Sequence, residues 1–156
     1  MLDSRASTTV DQPYDDLIMD HIRHARNYRV PVDASGKASG LNPLCGDELT
    51  VYVRIERGVI CDAAFQCSCC GVSMASASMM TEIVKGRSAA EARFRARTLV
   101  ALLYAPRLSL AAPGDEMLRA LLATVRQFPA RARCAALPWT TLEAALESRP
   151  AAAFHP

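Results

Sequence analysis

The spacing of apolar residues predicts a helix near the start of the chain. Apolar side chains recur at helical spacing from Leu17 to Ala25, so this helix is expected to run to about Arg26. Asp11 is a suitable cap for it, and Pro13 suits its first turn. The aspartates that follow would be stabilised by the positive end of the helix dipole.

The pattern then changes to the alternation that is typical of β-strands. Apolar and polar residues alternate over residues 49–55, which predicts a half-buried strand. Arg57 and Gly58 provide a turn, and residues 59–66 are predicted to pair with the first strand as a hairpin. The stretch 32–40 has few apolar residues, so it is predicted to be a loop or a weak edge strand.

Helical patterns return after the hairpin. Gly86 is a natural end for the first of these helices, and Ser88 begins a capping-box pattern that starts the next. Pro129 breaks the third, and an irregular turn that carries Cys134 is expected before the last. The four predicted helices cover about residues 71–85, 88–104, 115–127 and 139–147.

Together these elements predict an α+β fold, in which a small antiparallel, hairpin-based sheet is covered by helices. A chain of 156 residues suits a single compact domain with one core. Residues 1–12 are expected to be a mobile N-terminal tail, residues 13–148 the domain, and residues 149–156 a C-terminal tail without regular structure.

Composition and charge narrow the functional classes. With 51% hydrophobic and 22% charged residues, the chain is not of the disordered type. A formal net charge of +2 is too small to indicate binding to nucleic acid or to a membrane surface. No run approaches the roughly 20 apolar residues that span a bilayer, and the N-terminus lacks the apolar region of a secretory signal. A cytoplasmic protein is therefore expected.

The cysteines are the chemically informative residues. In a reducing compartment, clustered thiols indicate metal or redox chemistry more often than disulfides. Cys61 and Cys67 are predicted to be small buried hydrophobes on the second strand of the hairpin, whereas Cys69 is a competitor of Cys70 for a metal. The six cysteines are Cys45, Cys61, Cys67, Cys69, Cys70 and Cys134.

Three of these thiols and one carboxylate form a candidate metal site. Gly46 allows a tight turn, so that Cys45 and Asp47 can face one point. Cys70 precedes a predicted helix, whose free backbone N–H groups lower the pKa of a thiol. Cys134 completes a four-ligand set that Zn²⁺ accepts, although the spacing contains no double Cys-x-x-Cys signature.

The charge of such a site also predicts its neighbours and its lability. Three thiolates, one carboxylate and Zn²⁺ leave a charge of about −2. Arg131 and Arg133 flank Cys134, where positive charge would compensate for it. Asp47 would be a hard ligand among soft ones, which favours ligand exchange over a permanent structural site.

A second pair of potential ligands lies on the first helix. His21 and His24 are three residues apart, a spacing at which two imidazoles can share a metal. No third ligand accompanies them in the sequence. They are therefore predicted to be solvated or packed rather than metal ligands.

The sequence resembles the U-type iron–sulfur cluster assembly proteins, the family of IscU, SufU and the NifU N-terminal domain. The resemblance spans roughly residues 13–147 and is strongest in four segments in the family's order. These are the opening helix, the segment N-P-L-C-G-D, the second cysteine segment and the third cysteine segment, at residues 14–27, 42–47, 70–80 and 128–139.

Two features make the chain more similar to the SufU branch. Arg133 precedes the last cysteine where IscU-type proteins carry histidine, and the stretch between Cys70 and Cys134 is long. The resemblance implies that Cys45, Asp47, Cys70 and Cys134 bind zinc. It also implies that the protein accepts persulfide sulfur from a SufS-like cysteine desulfurase. Cys45 is the expected nucleophile, and Arg131 is expected to steer the exchange.

Two alternatives use the same residues. An IscU-like scaffold would bind iron, assemble a 2Fe-2S cluster and transfer it to a downstream iron–sulfur carrier or apo-protein. A structural zinc-binding adaptor would hold the metal without transferring sulfur. The sequence therefore leaves open whether the protein is a zinc-dependent, sulfurtransferase-like acceptor or a non-enzymatic scaffold.

Overall fold

A computed structural model describes residues 14–105 and 116–147, together with the backbone of residues 151–152. The predicted N-terminal tail and Asp11 lie outside the described residues. The helices are α1 (Asp16–Arg23), α2 (Gly71–Val84), α3 (Ala89–Tyr104), α4 (Glu116–Gln127) and α5 (Ala132–Leu146). The strands are β1 (Gly36–Asn42), β2 (Asp47–Glu56), β3 (Val59–Ser68) and β4 (Ala151–Ala152).

The sheet confirms the predicted hairpin and the α+β class. Strand β2 lies between β1 and β3 and pairs with both in antiparallel fashion. Arg57 and Gly58 connect β2 to β3 with φ angles of 55° and 78°, the left-handed values that a tight hairpin turn requires. The strand order is β3-β2-β1-β4.

Strand β1 corrects the prediction of a loop or weak edge strand for residues 32–40. It is a fully paired strand of seven residues whose side chains alternate between buried and exposed. Its buried positions include Gly36 and Gly40, because α5 lies directly on the backbone there and a Cβ at Gly40 would collide with Thr141. Small residues therefore occupy the positions at which the hydrophobic pattern would show bulky ones.

The short strand β4 corrects the prediction that residues 149–156 lack regular structure. Ala151 and Ala152 pair in parallel with Ser39 and Gly40, on the side of β1 that faces away from β2. The other residues of the predicted tail lie outside the described residues. The sequence pattern gave no indication of this pairing, because two alanines carry no strand signal.

Helix α1 is shorter than predicted. Its cap is Asp15, whose Oδ1 accepts a hydrogen bond from the backbone N–H of Ile18 at 2.9 Å, so Asp11 is not the cap. The helix ends at Arg23 instead of Arg26, because the backbone N–H of Arg26 donates to the Ser78 hydroxyl of α2 at 2.8 Å. Tertiary contacts thus replace the last predicted helical turn.

Helix α5 begins earlier than predicted. The irregular turn expected around Cys134 is instead the first turn of a helix that starts at Ala132 and includes Pro138. Proline inside a helix removes one backbone hydrogen bond, which is why the sequence favoured a later start at Trp139. The helix continues because α2 packs beside it and supplies hydrogen bonds to its carbonyl groups.

The core lies between the sheet and the buried helices α2 and α5. Trp139 is fully buried there, and its indole N–H donates to the Ser76 hydroxyl of α2 at 3.1 Å. Among the described residues, no helix is both long and apolar enough to span a membrane. This packing brings the β1–β2 loop, the start of α2 and the start of α5 together at one end of the sheet.

Candidate metal centre

Residues far apart in the sequence meet where these three segments converge. The Sγ atoms of Cys45, in the β1–β2 loop, and Cys134, in α5, are 3.8 Å apart. Asp47, the first residue of β2, joins them, and the ligand atoms of all three lie within 4.8 Å of one another. Cys70 is outside that group, but its Sγ lies 3.8 Å from the Ser73 hydroxyl, and the Cys134 thiol influences its pKa.

The β1–β2 loop positions Cys45 and Asp47. Gly46 has a φ of 76°, a left-handed conformation that residues other than glycine rarely adopt. Its N–H donates to the Asn42 carbonyl at 2.8 Å. The Asn42 side chain also accepts a hydrogen bond from the Leu44 N–H at 3.2 Å. The tight turn predicted at Gly46 is therefore present, and hydrogen bonds to the buried Asn42 stabilise it.

Asp47 is buried but remains stabilised as a carboxylate. Its side chain accepts a hydrogen bond from the Cys70 backbone N–H at 3.0 Å, and the Ser73 hydroxyl lies 2.8 Å from its other oxygen. Burial alone would raise the pKa of Asp47, but the bonds from Ser73, Cys45 and Cys70 outweigh it and lower the pKa below 3.8. The carboxylate is thus ready to act as a ligand at neutral pH.

The pKa values of the Cys70 and Cys134 thiols are shifted in opposite directions. The hydrogen bond from the Cys134 thiol lowers the pKa of Cys70, and the backbone N–H of Ser73 adds to this effect. The same hydrogen bond and burial raise the pKa of Cys134. The pKa of Cys70 is therefore lowered and that of Cys134 raised relative to a free thiol, and the position of Cys70 at a helix N-terminus favours the first shift.

The two arginines that flank Cys134 in the sequence have different surroundings. The Arg131 guanidinium hydrogen-bonds the Cys134 thiol and faces the charge of Cys70, and both contacts raise the pKa of Arg131. Arg133 lines a separate groove with Leu103 and Tyr104. Arg131 therefore supplies positive charge to the thiols.

The donor set fits zinc. Tetrahedral Zn²⁺ with Zn–S bonds of about 2.3 Å places its sulfur ligands about 3.8 Å apart. The separation of the Cys45 and Cys134 sulfur atoms has this value. Thiolates together with one carboxylate form a set that Zn²⁺ accepts, and Cys70, the fourth predicted ligand, lies at the N-terminus of α2, where its N–H donates to Asp47.

The remaining cysteines differ from their predicted roles. Cys61 is exposed, because it follows Ile60 on β3 and takes the solvent side of the strand, so the prediction of a buried hydrophobe is wrong. Cys67 is half-buried and forms a disulfide with Cys69. Cys69 is therefore bonded to Cys67 and is not a free competitor of Cys70 for a metal.

His21 in α1 and His24, which directly follows it, do not form a site together. His21 is buried, and its Nδ1 lies 2.7 Å from the Ser78 hydroxyl. His24 is at the surface, with its Nδ1 3.2 Å from an Asp20 carboxylate oxygen. One histidine is packed and the other is solvated, as the sequence predicted.

Ser73 is the site residue that the sequence reasoning missed. It is fully buried, and its hydroxyl lies within hydrogen-bond distance of both the Asp47 carboxylate and the Cys134 carbonyl, the latter at 2.9 Å. A signal was present, since Ser73 follows Cys70 by three residues and so shares the first turn of α2 with it.

Comparisons with known proteins show which family the chain resembles. The profile of the family described as NifU-like N terminal domain matches residues 13–148. The zinc-dependent sulfurtransferase SufU of Bacillus subtilis is 34% identical over 142 residues, which cover 88% of this chain and 91% of that protein. The iron–sulfur cluster assembly scaffold protein IscU of Thermotoga maritima is 35% identical over 144 residues, with coverages of 88% and 96%.

Solved structures show the same fold. A putative iron–sulfur cluster assembly scaffold protein for the SUF system from Fervidobacterium islandicum superposes with a TM-score of 0.72 at 30% identity, over 86% of this chain and 96% of that one. A NifU-like N-terminal protein from Brucella abortus gives a TM-score of 0.74 at 22% identity, over 89% and 95%. At 22% identity, the similarity to the Brucella abortus protein is evidence for the fold alone.

Proposed function

The chain belongs to the NifU-like N terminal domain family, and we propose that it acts in iron–sulfur cluster assembly as a zinc-bound acceptor of persulfide sulfur from a cysteine desulfurase. The observation that carries this proposal is the grouping of Cys45, Asp47 and Cys134, with their ligand atoms within 4.8 Å of one another. The similarity to a relative named as a zinc-dependent sulfurtransferase supports it.

Four residues would hold the metal: Cys45, Asp47, Cys70 and Cys134. Bound zinc would keep the three cysteine thiols deprotonated and close together until a sulfur donor docks. Asp47 does not depend on the metal to be ionised, because its hydrogen bonds already stabilise the carboxylate. As the one hard ligand among thiolates, it is also the ligand that would exchange most readily.

Cys45 is the proposed sulfur acceptor. It is exposed at the loop tip, whereas Cys134 is only 2% exposed and out of reach of a partner. The Cys45 thiolate would attack the outer sulfur of the desulfurase persulfide. A new S–S bond forms on Cys45 while the donor's S–S bond breaks, and its electron pair leaves with the desulfurase cysteine as a thiolate. Arg131 would stabilise the negative charge at the neighbouring thiols.

The test combines metal analysis with sulfur uptake. The purified protein should contain about one zinc per chain and acquire sulfane sulfur when incubated with a cysteine desulfurase and cysteine. Cys45→Ala should abolish uptake, while Cys61→Ala is the matched control, since Cys61 is an exposed thiol elsewhere on the sheet. Uptake by Cys45→Ala at the wild-type rate would contradict the assignment of Cys45. Failure of the wild type to take up sulfur would contradict the function.

A second candidate function is that of a scaffold for a 2Fe-2S cluster. Similarity to the Thermotoga maritima relative, which is named as a scaffold, favours it. The same four residues would then bind the cluster as cargo for an apo-protein. Anaerobic reconstitution with iron, cysteine and desulfurase separates the two candidates. A stable visible chromophore would support the scaffold, whereas retained zinc without a chromophore would support the acceptor.

A further inference from the structure

A disulfide directly precedes Cys70, one of the four proposed metal ligands. It joins Cys67, near the end of β3, to Cys69, and their Cα atoms are 5.5 Å apart. Neither residue belongs to the four proposed metal ligands. The pair immediately precedes Cys70, the residue that caps α2.

This disulfide contributes little as a structural crosslink. It encloses a single residue, so it removes little chain entropy from the unfolded state. The segment is also held without it, because Cys67 pairs with Leu49 of β2 and its backbone carbonyl accepts a hydrogen bond from the Tyr28 hydroxyl at 2.8 Å. A bond that the fold does not need suggests a chemical role for the two thiols.

Both cysteines lie at the end of α2 that carries Cys70. Cys69 is adjacent to Cys70, so their Cα atoms are about 3.8 Å apart. The Cys67 Sγ lies 4.0 Å from the Sδ of Met74, whose backbone N–H donates to the Cys70 carbonyl at 3.0 Å. The Cys70 N–H in turn donates to Asp47, so the disulfide adjoins the segment that links two of the proposed metal ligands.

We propose that Cys67 and Cys69 form a second, redox-active site, which reduces the sulfane sulfur accepted by the protein to sulfide. The inference rests on the proposed function, because it needs a persulfide on the thiol cluster. Reduction of one sulfane sulfur requires two electrons, which is what oxidation of one dithiol supplies. The disulfide in the structure is the oxidised product of that reaction.

The reaction balances in two exchanges. The Cys69 thiolate attacks the outer sulfur of the persulfide on Cys45. This forms a persulfide on Cys69 and releases Cys45 as a thiolate. The Cys67 thiolate then attacks the Sγ of Cys69, so that the Cys67–Cys69 bond forms and hydrosulfide leaves with the electron pair. Two thiols and one persulfide thus give one disulfide, one thiol and one hydrogen sulfide. An external dithiol reductant would restore the thiols for another cycle.

The test follows sulfide in the absence of any added reductant. Full-length protein is reduced, freed of reductant and mixed with catalytic desulfurase and an equimolar amount of cysteine. Sulfide released is divided by the sulfane sulfur acquired, and the Cys67–Cys69 bond is measured by peptide mass spectrometry. Cys67→Ser and Cys69→Ser are compared with Cys61→Ser, whose thiol lies on the same strand, β3, as that of Cys67.

The wild type and Cys61→Ser should release about one sulfide per chain and form the disulfide. Cys67→Ser and Cys69→Ser should retain the sulfane sulfur and release about tenfold less. Equal release from Cys67→Ser and Cys61→Ser would overturn the inference. A parallel experiment with glutathione persulfide in place of the desulfurase keeps this comparison decisive even if desulfurase-dependent uptake, and with it the proposed function, fails.

Discussion

The backbone carbonyl of Cys134 lies 2.9 Å from the hydroxyl of Ser73, a residue of a different helix. In a regular helix, that carbonyl would accept the N–H of the residue four positions later. That residue is Pro138, which has no N–H. The proline in α5 therefore leaves one acceptor open at the metal centre, and Ser73 is placed to fill it. The same hydroxyl lies 2.8 Å from an Asp47 carboxylate oxygen.

Ser73→Ala should weaken zinc binding by about 10–100-fold, because groups that orient metal ligands commonly have effects of this size. Asp47 and the Cys134 carbonyl would both lose a neighbour. Chelator competition measures the zinc affinity. Ser76→Ala is the matched control, since Ser76 is equally buried one turn later and bonds Trp139 instead. It should lower the melting temperature but preserve the affinity, and an equal loss of affinity in both variants would contradict the role of Ser73.

Arg131→Gln should slow persulfide uptake by about tenfold while zinc is retained, because a charge beside the thiols acts on the transferred anion and is not itself a ligand. The neighbouring variant Arg133→Gln should be affected less, since Arg133 lines the groove beside Tyr104. Initial rates of sulfur transfer from desulfurase to protein measure the effect. Identical rates for the two variants would show that Arg131 does not steer the exchange.

Gly40→Ala should lower the free energy of unfolding by about 1–3 kcal/mol through overpacking. The added methyl group would collide with the Thr141 hydroxyl of α5 and lie 3.1 Å from Leu137. The double variant Gly40→Ala/Thr141→Ala should recover part of this loss. Ser39→Ala, on the exposed side of the same strand, should change stability by less than about 0.5 kcal/mol. Urea denaturation measures the wild type, these three variants and Thr141→Ala alone, and additive effects at Gly40 and Thr141 would argue against the close approach.

His21 should make stability depend on pH in the mildly acidic range. Burial, together with the charge of Arg26, lowers the pKa of His21 below 6.5. The unfolded chain then binds the proton first, so stability falls as the pH drops below about 6.5, by at most about 1.4 kcal/mol per pH unit. His21→Gln should remove this slope, whereas His24→Gln, at the exposed residue that directly follows α1, should keep it. Urea denaturation between pH 7.5 and about 5 tests the difference.

The elements that the sequence predicted well are those whose local pattern and packing agree. The β2–β3 hairpin follows from alternation and a turn that its residues favour, and α3 begins at Ser88, whose hydroxyl accepts the N–H of Glu91 as the capping box requires. Strand β1 and the start of α5 were misplaced. At Gly40 and Pro138 the local propensity opposes the observed structure, and contacts with a partner element outweigh it.

The sequence by itself determined the chemistry of this protein: a family, an α+β class and a set of thiols and one carboxylate suited to zinc. The tertiary structure alone decided how those groups meet. Cys45 and Cys134 are separated by 89 residues, yet their sulfur atoms are 3.8 Å apart. Hydrophobic periodicity indicates which face of an element is buried, but not which other element covers it. The role of Ser73 depends on that packing, and so it emerged only from the fold.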